Sequence, residues 1–276
     1  MRFLHSLIYG FVSGLAEFLP VSNQIHQALM MEMFGMSQRE PIRDLLVHIA
    51  LILALWTSAN SLVSRVRRDH SLSGEADKKN LNRPAARSAF DMRLVRTAAT
   101  PMLLMLLFYL LASRWEHKPV ILALVSILNG ILLIIPEYMR HGNKDARKIT
   151  SSESIMIGIF SGLSAVPGIS RTGMCIASST ACGADSQNSS NWALLLSLPA
   201  LALFIVFDFI NLFVIGVSGV TFLAILGYLV SAIFAFIGGY ISVMILRLIS
   251  ERTGLYAFAF YSWGMALFTF FLYLIT

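Results

Sequence analysis

Apolar residues in this chain run in long, nearly unbroken stretches, without the alternation of an amphipathic strand or the one-sided stripe of a soluble helix. Six stretches, at 44–62, 94–112, 118–136, 190–215, 219–246 and 255–275, approach the roughly 20 residues that carry a helix across a bilayer. Two others, 4–35 and 153–183, are apolar but interrupted by proline, glycine, serine and ionisable residues. They read as re-entrant hairpins, each made of two half-helices. The short alternating segments of a membrane β-barrel are missing. The pattern predicts an all-α integral membrane protein with about six transmembrane helices and two re-entrant broken hairpins.

Composition agrees with lipid as the solvent. Of 276 residues, 57% are hydrophobic and 13% charged, about half the ~25% charge of a soluble domain, and mean hydropathy is +0.72. The net charge of +6 does not point to nucleic acid, because the basic residues sit in short loops between spans, where the positive-inside rule puts them. Cys175 and Cys182 are two helical turns apart, about 10 Å, too far for a disulfide within one helix. Near the N-terminus no basic segment or small-residue cleavage site marks a signal peptide.

The loop charges give a topology. Residues 63–96 carry Arg65, Arg67, Arg68, Lys78, Lys79, Arg83, Arg87, Arg93 and Arg96, so this stretch is expected in the cytoplasm. Two spans later come Arg140, Lys144, Arg147 and Lys148, and two spans after those come Arg247 and Arg252. All three segments then lie on one side. The first hairpin opens outward, the second inward, and the C-terminus lies outside. Segment 70–88, polar and without an apolar face, is expected to be a flexible cytoplasmic loop.

Residues 10–22, GFVSGLAEFLPVS, are echoed 148 residues later by GIFSGLSAVPGIS at 158–170. With three spans between them, the copies insert with opposite polarity. This predicts an inverted-topology repeat, 1–136 against 137–276 with 63–93 as the cytoplasmic loop, whose site lies near the midplane where the repeats meet. Each copy carries its own break. Pro20 disfavours helix before it, and Ser22 can cap the half-helix that follows; Pro167, Gly168 and Ser170 do the same in the second copy. Two helix N-termini then face the interior, a ready cradle for phosphate.

Ionisable residues gather at these breaks. Glu17 precedes the first, His26 lies one turn beyond it, and Arg171 opens the second half-helix. Charge inside a membrane segment is expensive and points to function, although a structural Glu17–Arg171 ion pair and a hydrogen-bonded core histidine are the plainer readings. Asp44 and His48, one turn apart, could face the same cavity. Asp185 is placed in a loop and Asp208 within a span, neither with a role, and Asp208→Asn is expected to do much less than a change at Glu17 or Arg171.

GLAEFLPVSNQIH at 14–26 and PGISRTG at 167–173 resemble the two main motifs of the undecaprenyl pyrophosphate phosphatase (bacitracin-resistance) family. DLLVHIALILAL at 44–55, LSLPA at 196–200 and FAFIGGY at 234–240 are more weakly similar. The resemblance implies an enzyme that removes the terminal phosphate from a C55 polyprenyl pyrophosphate, recycling the carrier of cell-wall glycans. It implies work at the outer face of the bacterial cytoplasmic membrane, with a divalent cation, Mg²⁺ or Ca²⁺. Carried over by position, Glu17, His26 and Arg171 are catalytic, with Glu17 also a metal ligand. Ser22, Asn23, Ser170, Arg171 and Thr172 bind substrate. The partners expected are the lipid substrate and the membrane, with a homodimer left open and no nucleic acid. The chain departs from the motifs at Ser13, where the family usually carries Glu or Gln, at Asn23, where it has serine, and at Thr172 and Cys175. Loss of catalytic side chains would favour the alternatives, a translocase of polyprenyl phosphate or another anionic lipid, or a non-catalytic lipid-binding relative.

Overall fold

A computed structural model describes residues 3–35, 40–59, 84–112, 114–115, 118–139, 142–215, 220–249 and 254–275. Among them the α-helices are α1 (Phe3–Phe18), α2 (Asn23–Met33), α3 (Pro41–Ser58), α4 (Pro84–Met102), α5 (Leu104–Ala112), α6 (Pro119–Ile134), α7 (Ser151–Gly162), α8 (Arg171–Ala181), α9 (Ser186–Ile215), α10 (Phe222–Ile249) and α11 (Tyr256–Ile275). Six apolar segments are long enough to span: Pro41–Ser58, Asp91–Ala112, Pro119–Tyr138, Ser186–Val214, Phe222–Ile249 and Tyr256–Ile275. The chain is an all-α, multi-pass membrane protein. Large apolar side chains such as Leu110, Phe213, Leu248 and Ile275 stand on its outer surface, as lipid-facing residues must.

Two expectations shift. The helix expected from 94 begins at Pro84, so the end of the polar segment 70–88 is helical, proline at the first position being pre-set for helix. The rest of that segment lies outside the described residues. The same span is not one helix. Pro101 has no N–H to continue the ladder, and at Leu103 the chain tightens into i→i+3 bonds, Leu103 N to Thr100 O at 3.1 Å and Leu106 N to Leu103 O at 3.0 Å. The C-terminal part of the span, α5, is thereby set off from α4.

Three polar contacts collect the basic segments at one end of the bundle. Arg93 at the start of the second span donates to Ile149 O (3.1 Å), Leu255 N donates to Glu137 Oε1, and Arg247 donates to Ser58 O (3.1 Å).

The helix partners correspond across the halves. α1 packs on α10 as α7 packs on α4; α10 and α4 also contact α3 and α9 respectively, and the pairs α3–α9 and α6–α11 close the bundle. The echoed glycines explain the closest of these approaches. A Cβ at Gly10 would collide with the carbonyl of Ser231 on α10, and one at Gly158 with the carbonyl of Ala98 on α4. Between membrane helices, where no water drives association, such small-residue contacts supply the packing.

Candidate active site

Both breaks occur where proline and glycine put them. α1 ends at Phe18 and α2 begins at Asn23, bridged by a tight turn with Val21 N bonded to Leu19 O. α7 ends at Gly162, a single 3₁₀ turn follows, and Gly168 takes φ +106° before α8 starts at Arg171. The left-handed backbone there needs glycine.

Glu17, on the last turn of α1, and Arg171, the first residue of α8, are brought together although 154 residues apart. Arg171 Nη2 donates to Glu17 Oε1 at 3.0 Å and to Glu17 O at 3.1 Å. Its Nη1 donates to Ser197 Oγ on α9. Asn23 Nδ2 donates to the other carboxylate oxygen, Oε2, at 2.7 Å, and Thr172 Oγ1 donates to Glu17 O at 3.2 Å. The pair is buried: the side chains of Glu17 and Arg171 are each 5% exposed.

Beside it lies a cavity of about 560 Å³, counting the space at its mouth. Its polar wall includes Glu17, Asn23, Gln24, Gln27, Ser164 and Arg171, and its apolar side includes Tyr109, Phe204 and Phe207. Four buried polar atoms on these walls have no hydrogen-bond partner: Asn23 Oδ1, Gln24 Oε1, Ser164 Oγ and Arg171 Nε. Buried polar groups are nearly always paired, so four orphans around one cavity describe what fills it. Arg171 Nε needs an acceptor such as a phosphate oxygen, and the two amide oxygens need a donor or a cation. Among the described residues no three of His, Cys, Asp and Glu form a ready metal cluster. The carboxylate of Glu17 with the oxygens of Asn23 and Gln24 is nevertheless a hard-oxygen set. It fits Mg²⁺ or Ca²⁺ shared with substrate phosphates, the common arrangement where the protein supplies only one or two carboxylates.

Other expected site residues stand elsewhere. Ser170 Oγ accepts from Gly173 N (3.1 Å) and so caps α8, while its own N–H is held by Asn129 Oδ1 at 2.8 Å. Ser22 occupies the cap position of α2 without making the side-chain bond. Neither serine, nor Thr172, lies on the cavity wall. His26 is also away from it: Nδ1 meets Ser22 O and Nε2 meets Tyr261 Oη, both at 2.6 Å, joining α2 to α11. Of the pair expected to share the cavity, His48 does, whereas Asp44 accepts from Tyr9 Oη (3.0 Å) and Arg43 Nε (3.1 Å). Arg43 in turn lies under the Tyr9 ring, 3.8 Å from its centre. Asp185 accepts from Asn188 N at 2.7 Å, at the head of α9.

Asp208 was given no role by the sequence, yet it lines the cavity and pairs with His48 Nδ1 at 2.5 Å. A carboxylate within a span was the available signal; what hid its role is that its partner lies 160 residues away, outside either repeated motif. Gln24, Gln27 and Ser164 were missed because uncharged polar residues in a membrane helix stand out little. Ser13 lies one turn before Glu17, its hydroxyl 3.4 Å from Gln27 Nε2, so the departure at that position is read by a cavity residue.

A sequence model of the family described as bacitracin resistance protein BacA matches residues 6–268. The chain belongs to the BacA family. Both breaks, His26, His48 and Asp208 fall within the BacA match. An undecaprenyl-diphosphatase of Treponema denticola is 31% identical over 95% of this chain and 94% of its own length. Undecaprenyl-diphosphatase 1 of Shouchella clausii is 26% identical over 98% and 96%, and an undecaprenyl-diphosphatase of Carboxydothermus hydrogenoformans 26% over 95% and 94%.

Proposed function

We propose that this BacA-family protein hydrolyses undecaprenyl pyrophosphate, or a close polyprenyl pyrophosphate, to the monophosphate in the bacterial cytoplasmic membrane, recycling the lipid carrier of cell-wall glycan synthesis. The observation that carries the reading is Arg171, buried at the meeting of the two breaks with Nε unpartnered beside the cavity. Arginine binds phosphate oxygens through its planar fork, and in a water-poor cavity such a cation stabilises charge on a transferring phosphoryl group. The relatives are named for a diphosphatase, which supports hydrolysis over the translocase alternative.

Each side chain has a task in this reading. Arg171 takes the terminal phosphate, exchanging Glu17 for phosphate oxygens on part of its fork. Glu17, with the orphaned oxygens of Asn23 and Gln24, would hold a divalent cation, which would supply charge neutralisation on the phosphates. The N-terminus of α2, with no side-chain cap, offers its N–H groups to phosphate. Thr172 and Ser170 hold the break in place. His26 steadies the start of α2, and therefore Asn23, by its bonds to Ser22 and Tyr261. The prenyl tail leaves past Tyr109 and Phe207, which stack at 4.6 Å between α5 and α9, beside the lipid-facing Leu106, Leu110 and Ile210. By the loop charges this mouth lies in the outer half of the membrane.

The test is phosphate release from farnesyl and undecaprenyl pyrophosphate by protein purified in detergent, with Mg²⁺, with Ca²⁺ and with chelator. Cation-dependent release from the wild type and none from Arg171→Ala is expected. Near-normal turnover by Arg171→Ala would sink the site, and no release by folded wild-type protein would sink the activity.

A further inference from the structure

The geometry points to His48, oriented by Asp208, as the general base that activates the attacking water. This deepens the phosphatase reading and rests on it. His48 lines the same cavity as Glu17 and Arg171. Its Nδ1 is fixed on Asp208 Oδ2 at 2.5 Å, and its ring lies flat against Phe204, centroids 5.3 Å apart and planes 11° from parallel. The two residues come from α3 and α9, which pack directly on each other, so the ring is held from two sides. Among the described residues Nε2 makes no hydrogen bond. A carboxylate on one imidazole nitrogen with the other left free is the arrangement that selects the Nδ1–H tautomer and keeps Nε2 basic.

The competing candidate is worse placed. Both nitrogens of His26 are engaged, by Ser22 O and Tyr261 Oη, and the residue is off the cavity wall. Glu17 is committed as well: its oxygens go to Arg171 and Asn23, and with substrate bound they would go to the cation. The charged groups around His48 are Asp208 on α9, Glu17 on α1, Arg171 on α8 and Asp44 on its own helix.

The step balances without further reagents. A water oxygen bonds to the terminal phosphorus while its proton moves to His48 Nε2, and Nδ1–H stays on Asp208. The bond from that phosphorus to the bridging oxygen breaks, and the polyprenyl monophosphate leaves with the electron pair. Inorganic phosphate is the other product, and the proton on Nε2 returns to solvent. Asp208 touches no reacting atom and acts as a positioning residue.

The experiment measures kcat and KM for farnesyl pyrophosphate in full-length wild type, His48→Gln, His48→Ala and Asp208→Asn, each checked for folding by gel filtration and thermal melting. General-base catalysis contributes about 10²–10⁴-fold, so His48→Gln is expected to lose that much kcat with KM within threefold. His48→Ala should regain turnover with added imidazole, which a merely structural histidine would not do. Asp208→Asn should lower kcat less than His48→Gln, again with little change in KM. If wild type hydrolyses the substrate and needs Arg171, but folded His48→Gln keeps its kcat, the base assignment is overturned and the phosphatase reading stands. If His48→Gln loses kcat but imidazole restores nothing to folded His48→Ala, the pair is a structural clamp and the assignment is overturned as well. No hydrolysis by the wild type overturns the reading itself, and the base with it.

Discussion

The two broken hairpins share a motif and differ in how their breaks are finished. In the second, Gly168 supplies the turn, Ser170 caps α8, and Asn129 pins the cap's backbone while donating to Ser262 Oγ at 2.9 Å. At the first break, between α1 and α2, no residue takes a positive φ, Ser22 leaves α2 without a side-chain cap, and Asn23 turns to Glu17 instead. The closed break is a platform that aims one guanidinium. The open break is where two amide oxygens, Asn23 Oδ1 and Gln24 Oε1, have no partner in the fold. Two similar segments of sequence thus finish their breaks differently, and the difference shows in which cap is made.

The sharpest way to break this comparison is to swap the reagent on the platform. Arg171→Lys keeps the charge but not the fork and should lower turnover about 10²-fold or more, in the range set by losing one preorganised donor, with the melting profile retained. Glu17→Gln should abolish phosphate release, measured in the same assay. Next in size is a stability difference between echoed glycines. A Cβ at Gly14 collides with the Ala235 carbonyl, whereas one at Gly162 meets Met102 at an ordinary 3.6 Å. Gly14→Ala should therefore destabilise by about 1–3 kcal/mol and Gly162→Ala by little, read as melting shifts in detergent. The smallest effect separates the caps: Ser170→Ala should cost about 1 kcal/mol, and Ser22→Ala close to nothing.

Much of this was legible in residues 10–22 and 158–170. Proline and glycine located the first break to within a residue, whereas α7 stops at Gly162, short of Pro167, with a 3₁₀ turn between; the apolar lengths located six spans, because membrane solvent tolerates few other sequences. The Glu17–Arg171 encounter was suggested by the two similar motifs, each with its ionisable residue beside a break. The fate of individual hydroxyls was not: Ser22 and Ser170 stand at matching positions with similar extended backbone, yet only Ser170 makes the capping bond. Nor was the His48–Asp208 pair, since neither residue belongs to a repeated motif and their meeting depends on α3 packing against α9. The break at Leu103 needed only Pro101, but apolar length alone concealed it.

The Glu17–Arg171 bond sets a threshold for what the site will accept. At rest the guanidinium is already neutralised, so a passing anion gains little unless it outcompetes a carboxylate held in place by Asn23. The surrounding membrane is a sea of phosphodiester headgroups, each a single negative charge with no second phosphate to chelate a cation. A pyrophosphate arriving with its cation offers three or so charges and a partner for Glu17 at once. Vesicles rich in phosphatidylglycerol should accordingly inhibit turnover weakly, and Glu17→Gln should bind them more tightly than wild type. On the proposed reading the ion pair would act as a discriminator, leaving the site idle among singly phosphorylated lipids until the doubly phosphorylated one arrives.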